Sequence, residues 1–191
     1  MEEATEALRA DDELAPYVEE YGPLTLEPAE NLYERLVVSL IRQQVSMAAG
    51  EAIQERLFER FEVTPAGMQA ADEAGLRDVG LSSAKVEYVK SAASVFAERE
   101  FDASSFEGMD NSTVVEELTA IHGVGPWTAK MALIFGLGRP DVFPVEDLGI
   151  RRGMELVCDR EMTRAEMRSR ASEWKPYRSY ASLYLWKAYE G

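Results

Sequence analysis

Residues 118–132 read LTAIHGVGPWTAKMA, and the fold class turns on their pattern. An apolar helical stretch ends at Ile121, two glycines flank Val124, and Pro126 is placed to open a second helix about two residues on. Gly123 and Gly125 permit positive φ and close approach of another group, and the start of the second helix carries partial positive charge. The turn can therefore offer the main-chain N–H groups of Gly123, Gly125 and the first turn through Thr128 to an anion such as a phosphate. Main-chain donors of this kind are indifferent to base sequence and need no lysine. Taken alone, G-V-G also reads as an ordinary αα-corner with glycine at the helix stop.

Helical periodicity continues outward from this hairpin in both directions. In NLYERLVVSLI, Leu32, Tyr33, Leu36, Val37, Leu40 and Ile41 form an i, i+3/i+4 stripe. Ser46 is placed to cap a helix carrying Ile53, Leu57, Phe58 and Phe61, and Thr64-Pro65 starts a short one that stops near Gly75. Ser82 or Ser83 opens the next, Ser112 caps the helix that leads into the hairpin, and Thr163 with Glu166 fits a capping box. A last helix spans roughly Tyr180 to Tyr189. No segment alternates with period two between turn signals, so a sheet is not expected. The expected architecture is all-α: a two-lobed bundle of about ten short helices with a cleft between the lobes. Residues 1–191 form one domain in this reading, with 31–118 as the central lobe and 1–30 plus 119–191 as the lobe carrying the hairpin.

Composition narrows the class. The chain has 191 residues, of which 46% are hydrophobic, enough for a substantial core. No apolar run approaches the roughly 18 residues of a membrane span, and the acidic N-terminus lacks the basic-then-apolar order of a secretory signal. One cysteine, Cys158, excludes an internal disulfide framework, a cysteine-ligated zinc site and a four-cysteine iron–sulfur cluster. A soluble cytoplasmic protein without membrane contact is expected. The net charge of −15 argues against a polyanionic partner at first sight. Its distribution softens that argument: residues 1–30 carry −9, 31–119 carry −8 and 120–191 carry +2. With 15 arginines and 5 lysines the profile suits a halophile's salt-loaded cytosol. There, a Debye length of about 3 Å removes most repulsion between an acidic surface and DNA.

Downstream of the hairpin stand VFPVEDLGIRR (142–152) and WKPYRSYASLYLW (174–186); upstream stand SLIRQQVSMAAGEAI (39–53) and VGLSSAKVEYVKSAA (79–93). This ordered set resembles the helix-hairpin-helix DNA glycosylase superfamily, nearest to its 3-methyladenine DNA glycosylase II branch. The resemblance covers roughly residues 30–188 and takes in only the two-lobed helical portion of the bacterial type. It implies a monofunctional enzyme that hydrolyses the N-glycosidic bond of alkylated purines in damaged double-stranded DNA. Alternatives are an enzyme of the same family for oxidised or deaminated bases, or a noncatalytic hairpin module that grips DNA.

The resemblance puts the catalytic aspartate at Asp147, directly after Glu146. A fixed carboxylate there stabilises the positive charge that builds on the sugar as the bond breaks, and it can orient the attacking water. Where lyase members of the family carry a nucleophilic lysine, this chain has Trp127; Lys130 lies three residues on and does not match. A target base must leave the duplex stack to be reached, and electron-poor alkylated purines favour aromatic faces. The resemblance assigns Trp127 and Trp186 to that base pocket, with Tyr180 and Tyr184 as neighbours. Met131 and Leu148 stand where the bacterial type has tyrosines. Gln43 and Gln44 either bond DNA and the base edge or bridge helices. Arg151 and Arg152 read equally as phosphate contacts and as solvated helix surface, and His122 as a structural or surface residue. A wedge side chain from FEVTP (61–65) is a plausible filler of the vacated stack. No cofactor is required for the chemistry; a structural K+ or Na+ on the main-chain carbonyls of Thr119, Ile121 and Val124 is implied by the family pattern alone.

Overall fold

A computed structural model describes residues 2–191. Among them are twelve α-helices and no strand: α1 (Glu2–Arg9), α2 (Ala15–Tyr21), α3 (Leu32–Arg42), α4 (Met47–Arg60), α5 (Pro65–Ala70), α6 (Glu73–Asp78), α7 (Ser83–Glu98), α8 (Asn111–Thr119), α9 (Pro126–Met131), α10 (Leu148–Val157), α11 (Arg164–Ala171) and α12 (Arg178–Glu190). None is long and apolar enough to cross a membrane. The helix starts follow local chemistry. The side chains of Ser46, Thr64 and Ser82 accept from the N–H groups of Ala49, Gly67 and Lys85, and Thr163 with Glu166 completes the capping box. Two expectations are corrected. Asp110, not Ser112, caps α8, because its Oδ1 accepts from both the Thr113 N–H and the Ser112 hydroxyl. The helix expected from Pro65 to Gly75 is two helices, since Asp72 restarts the chain by accepting from the Gly75 N–H at 2.7 Å.

The chain resolves into two compact units: the segment up to Pro28 together with Gly138–Gly191, and Ala29–Leu137. The hairpin thus lies in the Ala29–Leu137 unit and Asp147 belongs to the other, whereas the sequence pattern groups residues 119–191 with 1–30. The reason is the packing of α3. Its Leu32, Leu36, Val37, Leu40 and Ile41 are buried, and its neighbours include α9 and the π turn Ala132–Gly136. In the same unit Lys90 of α7 donates to the carbonyls of Met68, Gln69 and Ala71, closing the open end of α5.

The other unit buries Leu8, Leu14, Val18, Val145, Ile150, Met154, Met167, Trp174, Tyr184 and Leu185 in one cluster. Helices α10 and α12 approach closely because Gly153 faces the backbone of α12: a Cβ there would sit 2.0 Å from the Leu185 carbonyl oxygen. The acidic N-terminal segment is held by a charged anchor. Arg170 donates through Nη2 to Asp11 at 2.6 Å and through Nε to Glu13 at 2.8 Å, while its guanidinium lies 4.9 Å from the Trp174 ring centroid. Trp174 Nε1 also donates to Asp11, at 2.9 Å, and the Cys158 thiol donates to Glu13.

Burial alone would raise the Asp11 carboxyl, but hydrogen bonds from Arg170, Trp174 and the Leu14 N–H, with the Arg170 charge, outweigh it and hold the group below the usual range. Glu13 is lowered by its bond from Arg170. Both folded-state values lie below the unfolded ones, so this stabilisation is in place above the ordinary carboxylate range and disappears as pH falls through it. Arg170→Met leaves the Asp11 charge half-orphaned in a partly buried site; a loss of about 3 kcal/mol in urea unfolding at neutral pH is expected, shrinking toward pH 3. Equal losses at both pH values would show that packing, not charge, is what Arg170 contributes.

Candidate functional site

The segment before α10 delivers Asp147 in extended conformation as the helix N-cap. Its Oδ1 accepts from the Ile150 N–H at 2.9 Å and from the Trp186 indole N–H at 3.0 Å. A carboxylate at a helix start is favoured by the helix dipole, and two donors on one oxygen fix its orientation. Gly149 makes room for this pairing: a Cβ there would stand 3.0 Å from Trp186 Cδ1 and 3.1 Å from Asp147 Oδ1. Arg151 holds the approach strand of chain, its Nη1 donating to the carbonyls of Val145, Glu146 and Asp147 at 3.2, 2.7 and 3.2 Å. That nitrogen is committed to the backbone beside the aspartate and not directed at a phosphate. Arg152 pairs with Glu155 on the helix surface.

Other residues of this unit divide between core and surface. Tyr184 is buried and its hydroxyl donates to the Gly22 carbonyl, which makes it a core residue. Tyr180 is half-buried beside Tyr177, and Leu148 is exposed. Trp186 is half-buried, and its N–H orients the aspartate, a role the sequence reading did not include. The signal for the close α10–α12 crossing was present as the small-residue spacing Gly149 and Gly153, four apart on one helix face.

In the Ala29–Leu137 unit the hairpin forms as the glycines direct. After α8 the Val124 N–H closes onto the Ile121 carbonyl at 3.0 Å, and Gly123 adopts φ +89°. Gly125 is the N-cap of α9 with no side chain to offer, and Pro126 fills N1. The N-cap residue of α9 therefore supplies no side-chain cap, unlike those of α3, α4, α5, α7 and α10. Thr128 is buried, and its Oγ1 accepts from Gln43 Nε2 at 2.8 Å. The same Nε2 donates to the Gly123 carbonyl at 3.0 Å, so Gln43 bridges α3 to the hairpin. Gln44, by contrast, is exposed with φ +56°, a strained position for a residue with a side chain. Met131 is buried, Trp127 is half-buried and His122 lies edge-on against Tyr88, ring centroids 5.1 Å apart. Among the described residues no cluster of three or more His, Cys, Asp or Glu side chains is arranged to hold a metal ion.

The family model described as HhH-GPD superfamily base excision DNA repair protein matches residues 37–177. DNA-3-methyladenine glycosylase 1 of Schizosaccharomyces pombe is 31% identical over 185 residues, covering 91% of this chain and 79% of that protein. The YfjP protein of Bacillus subtilis is 30% identical over 188 residues, 93% of this chain and 66% of its own length. The chain thus spans roughly two thirds to four fifths of these relatives. The solved structure of the S. pombe 3-methyladenine DNA glycosylase with abasic DNA superposes with a TM-score of 0.89 at 28% identity, covering 97% of this chain and 95% of that one. On its helices, its hairpin and this match, the chain belongs to the HhH-GPD superfamily of base excision DNA repair proteins.

Proposed function

We propose that this chain is a monofunctional DNA glycosylase that acts, as a monomer, on double-stranded DNA and hydrolyses the N-glycosidic bond of alkylated purines of the 3-methyladenine and 7-methylguanine type. The observation that carries the reading is the Asp147 carboxylate, held at a helix start by the Ile150 and Trp186 N–H groups. A charge fixed in advance stabilises an oxocarbenium-like sugar without reorganising during bond cleavage. The same group orients the water that completes hydrolysis. A cationic purine is already a good leaving group, so the chemistry requires no strong general acid.

The remaining residues take supporting roles. Main-chain N–H groups of Gly123, Gly125 and the first turn of α9 through Thr128 hold the DNA backbone. Trp127 and Trp186 offer ring faces to the flipped base, with Met131 and Leu148 as its apolar neighbours. The position of Trp127 supports hydrolysis without lyase chemistry, because an indole forms no Schiff base. A monovalent cation, K+ or Na+, on the carbonyls of Thr119, Ile121 and Val124 is part of the proposal; these carbonyls follow the negative end of the α8 dipole.

The test is excision from a panel of duplexes, each holding one damaged base, with borohydride added in parallel. Release of 3-methyladenine or 7-methylguanine with no trapped protein–DNA adduct is expected. Release confined to oxidised or deaminated bases, or a covalent adduct, contradicts the proposal, and binding without release of any base makes the chain a noncatalytic module.

A further inference from the structure

Helix α7 carries two residues whose chemistry the proposed reaction leaves unused, and both lead to the hairpin. Lys85 is 9% exposed, and its ammonium donates to the carbonyls of Ile41 and Gln43 at the end of α3. Burial pushes its pKa down. An ammonium in such a place costs free energy unless hydrogen-bonded, and these two carbonyls provide the acceptors. One turn further along α7, the Tyr88 ring lies directly under Gly123: a Cβ on that glycine would fall 2.1 Å from the ring. Gln43, whose carbonyl Lys85 holds, uses its Nε2 to hold the Gly123 carbonyl and the buried Thr128 hydroxyl. A primary amide nitrogen has two hydrogens, and both are engaged.

We infer that Lys85 and Gln43 are positioning residues that act in series: Lys85 locks the end of α3, and Gln43 transmits that lock to the hairpin, setting the aim of its phosphate-facing N–H groups. Gln43 is thereby a brace of the DNA grip and not a reader of the damaged base. The inference rests on the reading that this hairpin holds a DNA backbone. It accounts for how a protein of net charge −15 grips a polyanion: main-chain donors must be aimed in advance, because a disordered turn would lose affinity in ordering itself.

Gln43→Glu keeps the size and removes the donors, and a carboxylate would face the Gly123 carbonyl. Lys85→Met keeps the apolar stem and removes the ammonium. The affinity of each for an undamaged duplex, read by fluorescence anisotropy, is expected to fall about tenfold or more, while single-turnover excision at saturating enzyme falls less than about threefold. The order of lesion preference should be that of the parent protein. Because the two act in series, the double variant should bind no worse than about twofold below the weaker single one. Hydrogen exchange should quicken in the peptide spanning residues 119–128 and stay unaltered in α10 and α12.

A changed lesion order, or a fall in the saturated rate with binding intact, overturns the inference and makes Gln43 a base contact. Additive losses overturn the serial arrangement. If Lys85→Met does not fold, Gln43→Glu decides alone, by exchange and by binding. A parent protein that binds no duplex would instead refute the DNA-gripping hairpin, and the exchange comparison would still judge the brace.

Discussion

Asp147→Asn is expected to reduce the single-turnover rate of base excision by about a thousandfold or more, while affinity for lesion-bearing duplex stays within about threefold. Asparagine has nearly the same size, and its Oδ1 can accept from the same Ile150 and Trp186 N–H groups that hold the aspartate. The helix cap and the α12 contact are therefore kept. In the proposed reaction, what disappears is the negative charge that faces the sugar as it becomes cationic. A thousandfold corresponds to about 4 kcal/mol of lost transition-state stabilisation, the scale seen when one fixed electrostatic partner is removed. Rapid-quench kinetics with enzyme in excess reads the effect. A rate within tenfold of the parent would remove Asp147 from the chemistry.

Gly153→Ala has the largest expected effect on the fold. The added carbon would lie 2.0 Å from the Leu185 carbonyl oxygen and 2.7 Å from its carbon, and a backbone cannot rotate aside as a side chain can. Helices α10 and α12 must separate, opening the cluster that includes Ile150, Met154, Tyr184 and Leu185. A cost of about 3 kcal/mol or more in urea unfolding is expected. Gly149→Ala, one turn earlier, makes the informative contrast. Its Cβ would meet Trp186 Cδ1 at 3.0 Å and Nε1 at 3.3 Å, so a shift of a few tenths of an ångström suffices. Stability should change by under about 1 kcal/mol, yet excision should slow by about tenfold, since displacing the indole loosens the aspartate. If both variants lose stability equally, the crossing is uniformly tight and the indole has no special part in holding Asp147.

The legible part of this molecule was its local chemistry. Ser46, Thr64, Ser82 and Thr163 cap their helices as read, because a cap is decided by residues within one turn of each other. The helical stripe of α3 predicted a buried face for the same reason. Asp147 stood out only through the company of the hairpin and the WKPYRSY segment; one aspartate among 35 acidic residues has no signature of its own. Distant partnerships were not legible. Gln43 meets Gly123 across 80 positions, Trp186 meets Asp147 across 39, and Arg170 meets Asp11 across 159. Each is a polar side chain whose partner is chosen by the folded packing, and periodicity carries no information about it. The unit to which the hairpin belongs is set in the same way: the Gln43 bridge and the α3–α9 packing tie it to Ala29–Leu137. Arg151, expected equally at a phosphate or on solvated helix surface, instead turns its Nη1 back to three carbonyls, a partnership that sequence neighbourhood does not reveal.

The most direct measurement compares binding of two duplexes that mimic the sugar after base loss, one with a cationic pyrrolidine in place of deoxyribose and one with a neutral tetrahydrofuran. A site built around a fixed carboxylate should prefer the cation by about a hundredfold, and Asp147→Asn should abolish that preference while leaving tetrahydrofuran binding intact. Equal affinity of the parent protein for both duplexes, or a preference that survives the substitution, would contradict the assignment of charge stabilisation to Asp147.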